Sequence, residues 1–100
     1  MSDQGESVVV EITHAAAKRV AELGDEVSTA VEELRTELSA TPRLGRLVQV
    51  RPGGVQVWTT RIERRPTMPA LSVTYVFVPE PRPPAAAVVS VVPDDTGADG

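Results

Sequence analysis

The spacing of apolar residues changes once along this chain, at Thr41-Pro42, and that change restricts its fold more than any other feature. Before it, Ala16, Val20, Leu23, Val27, Ala30, Val31, Leu34 and Leu38 recur at intervals of three and four. That spacing is the stripe of an amphipathic helix. After it, runs rich in valine, threonine and isoleucine alternate with proline and glycine, the composition of strands and turns. The expected fold is therefore α+β.

The helical stripe divides at Gly24-Asp25. Gly24 can take the left-handed conformation that ends one helix, and Asp25 can accept the free N–H groups of the next. This predicts a short helix from His14, N-capped by Thr13, to about Leu23, then a longer one to about Ser39. Thr41-Pro42 closes the second helix, because the residue before a proline disfavours the helical region. Glu32, Glu33, Arg35 and Glu37 are expected to face water. Ahead of the helices, SVVVEI at residues 7–12 is brief and stiff at χ1, which predicts a strand.

Beyond Pro42 the predicted strands are residues 47–51, 55–63, 71–78 and 85–92. Pro52-Gly53-Gly54 makes the first two a hairpin, and the stretches RRPTMPA and EPRPP supply the later connections. The expected architecture is an N-terminal strand, a helical hairpin and a twisted antiparallel four-strand meander. Residues 7–93 form one domain. Residues 1–6 and 94–100 carry too little apolar surface to hold themselves and are expected to be mobile tails.

With 100 residues there is room for one core. The absence of cysteine removes disulfides, thiolate zinc sites and thiol nucleophiles. A single histidine leaves no metal site, and no cofactor is expected. Gly53-Gly54 lacks the strand-to-helix context of a phosphate loop. The N-terminus has no secretory pattern and no apolar stretch suits a membrane span, so a cytoplasmic protein is expected.

The net charge of −4 is unevenly distributed. Residues 1–40 hold nine acids against three bases, whereas residues 41–82 hold seven arginines against Glu63 and Glu80. One half of the molecule is basic.

The order of elements, the strand opening into Thr13-His14-Ala15-Ala16, the Thr41-Pro42-Arg43-Leu44-Gly45 segment and the Leu71-Ser72-Val73-Thr74-Tyr75-Val76-Phe77 and Val88-Val89-Ser90-Val91 strands resemble the RelE/ParE toxin family. The resemblance implies a helical hairpin against an antiparallel sheet. It also implies a toxin of a type II toxin–antitoxin system, which inhibits translation by cleaving mRNA on the ribosome, or poisons gyrase, and is held by a small antitoxin. The family's ribonucleases commonly carry an arginine early in the penultimate strand and a basic residue or tyrosine after the last. Here those stretches read Leu71-Ser72-Val73 and Val92-Pro93-Asp94-Asp95, and the two aspartates would repel a phosphate. The catalytic set is thus unassigned. The alternative is a catalytically inert interaction module of the same fold that binds a partner protein or homodimerises.

The candidate binding residues are Arg51, Arg61, Arg64 and Arg65, around the first hairpin and the loop after it. Grouped on one face they would contact RNA phosphate or a partner's carboxylates. Otherwise they are solvated arginines that balance the acidic helices. Trp58 and Tyr75 are candidates for stacking on a base, against the alternative of core packing. His14 belongs at a helix start, in a surface or capping role.

Overall fold

The structure is a computed structural model of the chain and describes residues 8–80 and 83–94. Strand β1 (Val9–Ile12) leads into helices α1 (His14–Leu23) and α2 (Asp25–Ala40). Strands β2 (Arg46–Arg51), β3 (Val55–Ile62), β4 (Leu71–Val78) and β5 (Ala85–Pro93) follow. The α+β class and the boundaries agree with the sequence reading to within about two residues. Most of the expected tails lies outside the described residues. Asp94, the first residue of the expected C-terminal tail, is held in place: its N–H donates to Ala70 O at 2.8 Å.

Helix α1 begins where Thr13 accepts the Ala16 N–H at 3.2 Å through its hydroxyl, which satisfies one orphan donor of the first turn. The junction between the helices differs from expectation. Gly24 has φ 109° and ψ 173°, so its φ is positive but its ψ is extended, a region open essentially to glycine alone. Gly24 also occupies the cap position, and Asp25 is the first helical residue with no capping bond from a side chain. Asp25 and Glu26 instead place negative charge in the first turn, where the helix dipole favours it.

Strands β2 to β5 form the expected antiparallel meander. The sequence did not reveal where β1 goes: it pairs in parallel with β5, giving the order β1-β5-β4-β3-β2 in one mixed sheet. Both helices lie on one face. Ala16, Val20, Val27, Ala30, Val31, Leu34 and Leu38 are buried there against Leu71, Val73, Tyr75, Phe77, Ala86, Val88 and Val91. Strict alternation along β4, with Leu71, Val73, Tyr75 and Phe77 buried and their neighbours half-exposed, identifies the inner face.

Two departures from regularity shape the sheet. A bulge in β2 between Leu47 and Gln49 and another opposite Thr74 and Tyr75 each shift the register. Pro52–Gly54 makes a short 3-10 turn with φ of 86° at Gly53 and 83° at Gly54, conformations that glycine reaches without strain.

Candidate functional site

The register separates the four candidate arginines. Arg51 is paired with Val55 at the hairpin end of the sheet, whereas Arg61 is paired with Ser72 at the other end. Six residue steps of extended strand separate Val55 from Arg61, roughly 20 Å. Arg51 and Arg61 therefore share the outer face, the condition the sequence reading set, but stand at opposite ends of it and form no cluster. Arg61 and Arg65 do come together, around a cleft of about 210 Å³ that also holds Glu33, Glu37 and Glu63.

Those two arginines are already engaged. Arg65 donates to the Glu33 carboxylate at 2.8 Å, which raises its pKa further above its usual value. Arg61 donates to Asp94 at 3.1 Å and lies 3.6 Å from Glu63. Each arginine facing a carboxylate is poorly placed to receive a phosphate. The acidic helices and the basic sheet half thus meet within the molecule. Arg64 is exposed on the same loop.

Neither aromatic candidate offers a face to a base. Tyr75 is 0% exposed, and its hydroxyl donates to Pro42 O at 2.8 Å while accepting the Gly45 N–H at 3.1 Å. Trp58 is stacked on Tyr75 with ring centroids 6.4 Å apart, and its indole N–H donates to Gln56 at 3.0 Å. Both are core residues. His14 is exposed at the start of α1, and the capping role there belongs to Thr13. Among the described residues no group of histidines and carboxylates converges as metal ligands would.

The distinctive feature is the contrast between the two edges of the sheet. An open edge strand is a ready template for another strand, and proteins usually cover or blunt it. At β1 the cover comes from α2. The Arg35 guanidinium donates to Val10 O at 3.2 and 2.8 Å, so Arg35 turns inward and does not simply face water. Ser39 O accepts the Val8 N–H at 2.9 Å, and its hydroxyl donates to Val8 O at 2.9 Å.

Strand β2 has no such cover among the described residues. All six of its residues are exposed, including Leu47 at 44%, Val48 at 55% and Val50 at 60%. Arg46 and Arg51 stand at its two ends and make no ion pair among the described residues. Leu47, opposite Trp58, and Val50, opposite Gln56, share the inner face, while Arg46, Gln49 and Arg51 share the outer one. Sequence reasoning found this strand but not its exposure, because the pattern of a strand does not say whether it lies at an edge.

Comparison with family models, with curated proteins and with solved structures finds no match.

Proposed function

We propose that the chain is a catalytically inert interaction module, RelE/ParE-like in its order of elements, that takes an extended partner segment as a sixth strand along β2. The observation that carries this reading is the open β2 edge, with Leu47, Val48 and Val50 exposed, across the sheet from a β1 edge closed by Arg35 and Ser39. Main-chain hydrogen bonds supply affinity in strand addition, and alternate side chains supply specificity. On β2 the alternate sets are Leu47 with Val50 and Arg46 with Arg51, which favour a segment that alternates apolar with acidic residues.

The same charges argue against β2 pairing with β2 of a second copy. In an antiparallel pair centred on the strand, Arg46 faces Arg51 at both ends, and like charges opposite one another destabilise a sheet.

Trp58, the only tryptophan, lies directly across from Leu47 and reports on this edge. Titration with a synthetic peptide of alternating glutamate and valine should change Trp58 fluorescence and slow amide exchange in β2. A lysine–valine peptide of equal length should do neither. Leu47→Lys with Val50→Lys, at exposed positions, should abolish binding with the fold intact. Equal response to both peptides, or binding undiminished in the double variant, would sink the reading.

A toxin acting on translation or gyrase is the second reading, favoured by Arg46 and Arg51 on an exposed strand, which make no ion pair among the described residues. Induced expression in bacteria separates the two. The interaction module leaves growth unchanged, whereas a toxin arrests it and loses that effect when Arg46 and Arg51 become alanine.

A further inference from the structure

The sheet face turned away from the helices has no covering element among the described residues. Residues paired across strands share a face, so the register maps it. Val57, Val76 and Ala87 lie in one row between Gln49 on β2 and Glu11 on β1, and Val55, Val78 and Ala85 lie in the next row towards the hairpin turn. A solvated face of an antiparallel sheet ordinarily carries polar side chains. Here seven apolar residues adjoin across four strands, counting Val9 of β1, which pairs with Ala85. Charge appears at both margins of this patch, with Arg46 and Arg51 on β2 and Glu11 on β1.

We infer that this face stacks on the same face of a second copy, about a two-fold axis parallel to the strands and passing over β4. In that arrangement β1 of one copy lies over β2 of the other, and β5 lies over β3. Ala85 and Ala87 then meet Val55 and Val57, small side chains against larger ones, and Val76 and Val78 meet their own mates at the axis. Glu11 falls between Arg46 and Arg51 of the second copy, and the contact occurs twice. An axis perpendicular to the strands would instead lay arginine over arginine and Glu11 over Glu11. Charge therefore selects the first arrangement.

The patch also has a size that suits such a contact. Five strands about 4.8 Å apart and three rows about 7 Å apart, the two apolar rows and the flanking row of Arg46, Thr59 and Thr74, bury roughly 1,000 Å² over both copies, the size of a weak, reversible association. The main-chain edge of β2 stays open in this dimer, but Arg46 and Arg51 take part in both contacts, so the Leu47 and Val50 exchanges, which touch strand addition alone, distinguish the two.

Sedimentation equilibrium of the full chain from micromolar to millimolar concentration tests it. The wild type should form a dimer. Val76→Asp should leave a monomer, and Glu11→Arg should weaken the dimer about tenfold or more by replacing two attractions with two repulsions. Adding Arg46→Glu and Arg51→Glu to Glu11→Arg should restore it. Leu47→Lys with Val50→Lys should leave dimerisation unchanged. A wild type that stays monomeric throughout, or a dimer that Glu11→Arg does not weaken, overturns the inference. If Val76→Asp does not fold, the exposed Glu11 exchange and its rescue decide the outcome alone.

Discussion

At the scale of single residues, Tyr75 links the helical half to the sheet. Its hydroxyl holds Pro42 O and Gly45 N, the two ends of the short connection between α2 and β2. Tyr75→Phe leaves both main-chain groups without that partner and should cost about 1–3 kcal/mol in urea unfolding at neutral pH. Burial pushes the Tyr75 pKa up, partly offset by the Gly45 N–H. A raised folded pKa means its stabilising effect is complete below the unfolded value of about 10 and declines as pH rises beyond it. Stability should therefore fall above about pH 10, with a shallower slope in Tyr75→Phe. Because this is the only tyrosine, phenolate absorbance reads it without interference. Gly45 is the second sensitive residue, since a Cβ there would collide with the Thr59 carbonyl oxygen. Backbone cannot yield as a flexible side chain can, and Gly45→Ala should destabilise by about 1–3 kcal/mol. Alternation in the sequence VTYVFV was enough to suggest that Tyr75 packs inside. Its bonds to residues thirty or more positions away left no local pattern to read.

The elements themselves were legible because proline and glycine punctuate them. Gly24 divides the helices, Pro42 ends the second, and Pro52-Gly53-Gly54 turns the hairpin, each for a backbone reason that acts locally. Strand neighbours are another matter. A period of two assigns side chains to faces but says nothing about which strand lies alongside, so the parallel pairing of β1 with β5 and the edge position of β2 emerged only from the fold. For the same reason, four arginines close in sequence were divided between opposite ends of the sheet. Arg35 shows how an element can be secured by a residue that reads as surface. The helical spacing puts it on the water-facing side of α2, and it does pair with Glu32 at 2.8 Å, but the guanidinium also closes the β1 edge through Val10 O. Arg35→Ala should speed hydrogen exchange in β1 while leaving β3 and β4 protected, because the central strands keep partners on both sides. Uniform acceleration across the sheet would mean that Arg35 supports the whole fold instead of one edge.

For the molecule as a whole, the sequence suggests a dipole, with an acidic helical half and a basic sheet half. The fold partly cancels it. Arg65 is paired with Glu33 across the boundary, Arg61 with Asp94 and Glu63, and Arg43 lies over the Phe77 ring at 5.1 Å from its centroid. Arg46 and Arg51 remain as a pair on one edge. This limits what a polyanion can gain. If only those two arginines neutralise phosphates, the logarithm of affinity for single-stranded RNA should fall with the logarithm of salt concentration at a slope of about −1.4. Engagement of six arginines would give about −4. A shallow slope, with weak binding that disappears in Arg46→Ala with Arg51→Ala, is the expected result. A steep slope would mean that RNA displaces Glu33, Glu63 and Asp94 from their arginines. The acidic partners would then act as an internal competitor for a nucleic-acid site, and the toxin reading would gain at the expense of strand addition.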